Sequence, residues 1–360
     1  MKLSLRFCLY AALVLCLGLV VHFYLQASVP AEAPSAAANP RKFTPVVVEN
    51  EVAQAKADVG KRAIAFLQAG DFAALDAMAR EFRASQVTFA SGGRPLNLFY
   101  GALDLDNDAP EAECETRLTL LRRWFEADVE SITARVAMAK ALVSYAWHAR
   151  GTDWASEVKP EAWPLVYQRV TEASRILEAA RDLPEKCPYW YVTWLTKSML
   201  SGEDQQRYDE IFAEAVGEYP SYMRIYWMKV WRLEEKWYGK RGDWEAFAKE
   251  SADRLGGEEG DIFYARLIWW VHSMRTYGNP VAESAMDWER TRRGFEAIRR
   301  QYPDSLLALS EFCSISGFAP KGAQQQMRQL FDEIGNRVDL ETWKKVELFV
   351  RDRRWAYSLQ

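Results

Sequence analysis

One sequence frame recurs along this chain and limits its fold more than any other feature. Ile176 to Leu183-Pro184, Phe212 to Tyr219-Pro220 and Phe295 to Tyr302-Pro303 each place a large apolar residue eight positions before a proline and another directly before it. Proline has no N–H to donate and pushes the preceding residue out of helical geometry, so each frame marks a helix end. Trp190, Tyr226 and Leu309 stand six residues after these prolines, each in a new apolar stretch. Recurrent helix ends with fixed apolar flanks point to stacked helix pairs, because one pair alone leaves an apolar face uncovered. With a fourth start at Gly260, the modules begin near positions 184, 220, 260 and 303, spaced 36 to 43 residues apart. Those spacings bracket the tetratricopeptide and HEAT-like range. The expected fold is all-α, a tetratricopeptide-like α-solenoid of stacked helix pairs behind an N-terminal transmembrane helix.

From Glu51 onward no strand alternation is evident, and helical stretches are bounded by Gly, Pro or Asp. Gly70 is expected to end a helix over 51–69, and Asp71 to cap the next over 71–84. Ile132, Val136, Ala139, Val143, Ala146 and Trp147 share one face of a helix expected over 129–149. Tyr226, Trp227, Val230, Trp231 and Leu233 spread apolar surface over a wide sector, as a helix with neighbours on two sides requires. Ser221 and Asp304 follow their prolines and are expected to cap the next helices. The 15 tryptophans fit broad helix contacts or aromatic surfaces. Lys+Arg 46 against Asp+Glu 50 leaves a net charge of −4, which argues against nucleic acid as a partner.

Lys2 and Arg6 precede an apolar run over Phe7–Leu25. As a helix the run would be about 28 Å long, enough to cross a bilayer, and the flanking charges favour a cytoplasmic N-terminus. The expected organisation is a cytoplasmic N-terminus over 1–6 and a transmembrane anchor or signal sequence over 7–25. A flexible Ala/Pro-rich linker over 26–50 and a helical repeat domain over 51–360 follow. That predicts a single-pass inner-membrane protein with its C-terminal domain on the periplasmic side, or a periplasmic protein after signal cleavage.

The segment Ser144-Tyr145-Ala146-Trp147-His148-Ala149-Arg150-Gly151 resembles a motif of a bacterial family of uncharacterised proteins, domain of unknown function 4034. Trp163 with its following helix, Pro188-Tyr189-Trp190, and Trp237-Tyr238-Gly239 followed by Trp244-Glu245-Ala246-Phe247-Ala248 extend the likeness over about Leu118 to Leu255. Lys240-Arg241 before Gly242 departs from the family's Trp-Gly-Gly turn. The resemblance implies a helical, tetratricopeptide-like fold. It implies no catalytic residue.

No phosphate-binding loop or nucleophile elbow is present, and three histidines are too few for a His-rich zinc site. No cofactor, metal or enzymatic activity is therefore expected. Asp104, Asp106, Asp108 and Glu115 occupy positions 1, 3, 5 and 12 of a calcium loop, but Ala109 replaces the glycine of its sharp turn. The reading preferred is a solvated acidic loop. Cys114, Cys187 and Cys313 read as small buried hydrophobes. Arg292-Arg293 and Arg299-Arg300 read as a salt-bridged face beside Glu289 and Glu296. The candidate binding residues are Trp147, Arg150, Trp154, Trp190, Trp227 and Trp270. The function expected is a membrane-anchored, non-enzymatic scaffold for a protein or peptide partner. The alternative is an α/α-toroid that binds or processes glycans. An open array favours the first and a closed ring the second.

Overall fold

The computed structural model describes residues 43–106, 108–151, 154–274 and 279–358. The apolar run over Phe7–Leu25 lies outside these residues, and among the described residues no helix is long and apolar enough to cross a membrane. The fold is all-helical. Among the described residues it has seventeen α-helices, and the only strands form one two-residue pairing.

Four helices open the folded unit, α1 (Glu51–Ala69), α2 (Phe72–Ala84), α3 (Pro95–Leu103) and α4 (Glu111–Ala127). Helix pairs follow: α5 (Ile132–Arg150) with α6 (Ala162–Ala180), α7 (Pro188–Ser201) with α8 (Gln205–Glu218), and α9 (Met223–Arg232) with α10 (Asp243–Leu255). Next come α11 (Gly257–Ser273), the short α12 (Pro280–Glu283) and α13 (Trp288–Gln301), then α14 (Leu306–Ser316) with α15 (Ala323–Ile334). The chain finishes with α16 (Leu340–Trp343) and α17 (Val346–Ala356). α7, α9 and α11 start at Pro188, Met223 and Gly257, 35 and 34 residues apart.

The helices form an inner and an outer layer. α7 is buried without a break from Tyr189 to Leu195, whereas α8 buries only Tyr208, Ile211 and Ala215. A helix flanked on all sides loses its polar face, and a surface helix keeps one apolar stripe. α5, α7, α9, α11 and α14 pack successively side by side as the inner layer. α14 then meets α1, α1 packs on α3, and α3 returns to α5. The close approach of α13 to α11 depends on Gly294, where a Cβ would stand 2.1 Å from Asp261 O.

The two ends of the folded unit are joined. β1 (Val46–Val47) pairs in parallel with β2 (Arg337–Val338), with Val46 N–H donating to Asn336 O at 2.8 Å. Asn50 caps α1 through its Oδ1 and donates from Nδ2 to Asp339 Oδ1 at 2.7 Å. Ser305 donates to the Glu51 carboxylate. Residues 45–50, placed in the linker by composition, therefore belong to the folded unit, which begins at Pro45. The segment from Arg83 to Tyr100 reaches the inner helices one after another. Arg83 bonds Thr133 at 3.0 Å and Glu185 at 2.5 Å, and Tyr100 stacks on Tyr189 at 4.5 Å. Arg94 donates to Ser221 Oγ at 2.9 Å, Arg266 to Ala90 O at 3.0 Å, and Tyr302 to Thr88 O at 3.1 Å.

The recurrent frame has a common backbone at two of its three sites. Tyr219 ends α8 at φ −129°, ψ 61°, and Tyr302 ends α13 at φ −127°, ψ 65°. Both leave the helical region because proline follows, and both close a turn, to Tyr222 N–H at 3.0 Å and Ser305 N–H at 3.2 Å. That turn moves the next start beyond the residues expected to cap it. Ser305, not Asp304, caps α14 by accepting from Ala308 N–H. Tyr222 precedes α9 without a side-chain cap, and Ser221 instead receives Arg94. Leu183 differs, because α6 already ends at Ala180 and its turn runs from Leu183 N–H to Ala180 O. α1 and α2 begin and end where Gly70 and Asp71 indicate, with Gly70 at φ 72°.

Candidate functional site: an aromatic and cationic cluster on the inner helices

The C-terminal ends of α5 and α9 bring three indoles together. Trp147 on α5 lies 5.4 Å, centroid to centroid, from both Trp231 on α9 and Trp237 just beyond it. Trp231 and Trp237 are themselves 5.4 Å apart. A tight turn holds Trp237 there, with Trp237 N–H donating to Glu234 O at 2.9 Å and Tyr238 N–H to Arg232 O at 3.1 Å. Only glycine fits two residues on, because a Cβ at Gly239 would lie 1.9 Å from Leu233 O. The Arg150 guanidinium lies 5.3 Å from the Trp147 ring and 5.2 Å from the Trp237 ring, within cation–π range of each. Lys236 Nζ stands 5.6 Å from the Trp154 ring, and Trp154 is 54% exposed.

One turn deeper on α9, Trp227 lies parallel to Trp270 of α11, with centroids 6.4 Å apart and planes inclined by 7°. Arg224 places its guanidinium 5.5 Å from the Trp227 ring. Arg224, Trp227 and Trp231 follow an i, i+3, i+7 stripe. The opposite face of α9 meets α8, through Tyr226 against Phe212 at 5.9 Å and Lys229 on Asp209 at 2.5 Å. On α5, Lys140 and Trp147 occupy one stripe, and Lys140 is ion-paired with Asp104 just after α3. Burial works against the charge on Lys140, but Asp104 holds its pKa above the ordinary lysine range, while Arg224 pushes the other way.

Five of the six candidate residues, Trp147, Arg150, Trp154, Trp227 and Trp270, fall in these neighbouring groups. Trp190 does not. It is buried beside α6, donates from Nε1 to Leu177 O at 2.9 Å, and packs on Trp194 at 5.1 Å. Sequence reasoning passed over Arg224, Lys140 and Trp237 as site residues. The i, i+3, i+7 spacing of Arg224 with two tryptophans was the available signal.

The other motifs have structural partners. Asp104 engages Lys140, and Asp106 accepts from Asp108 N–H at 3.1 Å. No three His, Cys, Asp or Glu side chains gather in a way that would hold a metal among the described residues. Glu111 accepts from Tyr145 and lies 3.7 Å from His148 Nδ1 and 3.5 Å from Arg169. Burial and that carboxylate raise the Tyr145 pKa to about 12. Arg292 pairs with Glu289 and Glu296, Arg293 with Asp261, Arg299 with Glu333 and Arg300 with Glu258. Cys114, Cys187 and Cys313 are buried and separate. Cys187 contacts Tyr100 Oη at 3.4 Å, Cys114 faces Ala109 O at 4.0 Å and Cys313 faces Met327 O at 3.9 Å.

No protein-family model, curated protein or solved structure matches the chain.

Proposed function

We propose that this chain is a non-enzymatic, tetratricopeptide-like helical-repeat protein that holds a protein or peptide partner at the Trp147–Arg150–Trp154–Trp237 end of its inner helices. The observation that carries this reading is Trp154, 54% exposed and placed beside a packed cluster of indoles and cations. Tryptophan and arginine are the residues that dominate protein interfaces, and an exposed indole beside a rigid cluster is a suitable anchor. The length of the inner layer is less suited to a partner here, because the segment from Arg83 to Tyr100 already contacts residues on and beside its helices. The apolar run over Phe7–Leu25 supports a membrane tether for the same domain, with its folded part outside the cytoplasm.

A photo-crosslinking residue at position 154 tests this reading in membrane extracts. One discrete protein adduct is expected there, and none at position 167, where Tyr167 is 56% exposed on α6. Equal labelling at both positions, or no adduct at 154, would refute it.

One observation favours the second reading, an α/α-toroid that binds glycans. The ends of the folded unit are joined through β1, β2 and the Asn50–Asp339 bond, so its helices return on themselves. Calorimetric titration with neutral oligosaccharides separates the two readings. Saturable heat that is lost in Trp154→Ala supports the toroid.

A further inference from the structure

Several buried indoles in this fold donate their N–H within the chain. Trp124 donates to Asp76 at 3.4 Å, Trp190 to Leu177 O at 2.9 Å, Trp194 to Glu203 at 3.2 Å and Trp343 to Asp352 at 3.2 Å. Trp147 and Trp227 differ from these four. Their Nε1 atoms are buried and have no hydrogen-bond partner, and Trp227 is only 8% exposed. Arg224 Nε, on the same stripe of α9 as Trp227, is buried and unpartnered as well. Asp104 Oδ1, on the carboxylate that pairs with Lys140, is buried without a partner too.

The charges there do not balance. Lys140 takes Asp104, and no carboxylate lies within ion-pair distance of Arg224 among the described residues. Arg224 is close enough to Lys140 to oppose its charge. A buried guanidinium N–H without an acceptor is costly, and with Asp104 paired to Lys140 the two neighbouring cations leave an excess positive charge. Arg224, Lys140 and Trp147 all keep partial exposure, so part of each side chain reaches solvent beside these buried atoms.

We infer that the inner helices carry a binding site for a small anionic molecule with a ring-shaped body. Arg224 receives the anionic group, the Trp227 and Trp147 N–H groups donate to its oxygens, and the parallel Trp227–Trp270 pair supplies a flat apolar wall. Asp104 Oδ1 accepts from a hydroxyl where the ring carries one. Acidic aromatic molecules and sugar phosphates share this chemistry. The site does not depend on a protein partner at Trp154.

The test is calorimetric titration of the full chain with phenyl phosphate, glucose 6-phosphate, inorganic phosphate and phenol. Saturable binding is expected for at least one of the two ring-bearing phosphates, and which of them binds tells an aromatic body from a sugar. Phenol should not bind, and inorganic phosphate should bind at least about tenfold more weakly, for want of contact with the indole wall. Arg224→Gln should weaken the ring-bearing ligand by about tenfold or more, the worth of a charged hydrogen bond. Trp227→Phe keeps the apolar wall and removes one donor, so it should weaken binding about fivefold. It also serves as the second variant if Arg224→Gln does not fold. Absence of saturable heat up to about 10 mM of both ring-bearing phosphates would overturn the site. So would binding that both variants leave unchanged, or inorganic phosphate binding as tightly as the ring-bearing ligands.

Discussion

Two buried polar clusters in this protein follow opposite rules. At the seam between its ends, Asn50 and Asp339 use every side-chain heteroatom. Asn50 Oδ1 accepts from Val52 and Ala53 N–H at 2.8 and 2.9 Å, and its Nδ2 donates to Asp339 Oδ1. Asp339 Oδ1 also accepts from Glu341 N–H at 3.0 Å, and Oδ2 from Thr342 at 2.6 Å. On the inner stripe, Arg224 Nε, Trp227 Nε1, Trp147 Nε1 and Asp104 Oδ1 are buried without partners. Burying a polar group carries the same penalty in both places. At the seam internal bonds offset it, and on the stripe they do not. The seam therefore holds the fold together, whereas the stripe is a place where the fold gives up stability.

The sharpest way to break this comparison is to remove one residue from each cluster. Asn50→Ala deletes a cap serving two N–H groups and leaves the buried Asp339 short of a donor. Chemical denaturation should show a loss of about 2–4 kcal/mol, the sum of a lost cap and an orphaned buried carboxylate. Arg224→Met removes an uncompensated cation and keeps its apolar stem, so stability should stay level or rise by up to about 1 kcal/mol. Equal losses in the two variants would remove the distinction between the clusters.

The pH dependence of stability sharpens the seam's side. Burial raises the Glu311 pKa well above the ordinary carboxyl range, Asp339 and Glu51 add to it, and Arg266 and Lys344 oppose it. Burial raises Asp339 too, against the hydrogen bonds from Thr342, Glu341 N–H and Asn50. In the folded state both groups hold their proton to higher pH than an ordinary carboxyl does. Their contribution is fully present below the unfolded carboxyl pKa and is lost as pH rises through the raised folded values. While such a group titrates, stability should fall by up to about 1.4 kcal/mol per pH unit. Glu311→Gln cannot ionise, so its denaturation midpoint should fall less between pH 4 and neutrality than that of the parent chain. Parallel profiles for the two proteins would show that Glu311 does not titrate with folding.

Much of the architecture is legible in the sequence, because local rules decide it. The proline after Tyr219 and Tyr302 dictates the same backbone at both sites, and Gly70-Asp71 sets the break between α1 and α2. The return of the helices on themselves is not legible. It rests on the β1–β2 pairing and the Asn50–Asp339 bond, between residues 289 positions apart, and neither has a local signature. The cluster is half legible. Trp147, Arg150 and Trp227 stand out by type, but Arg224 gains its meaning only from the carboxylate missing beside it. Trp190 resembles Trp227 by type and placement on an inner helix, and its bond to Leu177 O and packing on Trp194 set it apart.

That contrast between two tryptophans gives the smallest effect and the closest test. Trp190→Phe and Trp227→Phe remove the same atoms from two buried indoles on neighbouring inner helices. Trp190→Phe also deprives Leu177 O of its donor at 2.9 Å, whereas Trp227→Phe deletes an N–H that bonds to nothing. The lost apolar contact is similar at both sites, so the difference isolates the hydrogen bond. Trp190→Phe should be less stable than Trp227→Phe by about 1 kcal/mol, the net worth of a neutral buried hydrogen bond. Adding the ring-bearing phosphate that binds should stabilise Trp190→Phe as much as the parent chain and Trp227→Phe less, because, of these two indoles, Trp227 alone donates to the proposed ligand. If Trp227→Phe proves the less stable of the two without ligand, its N–H already has a partner within the folded chain, and the inner stripe is no different from the seam.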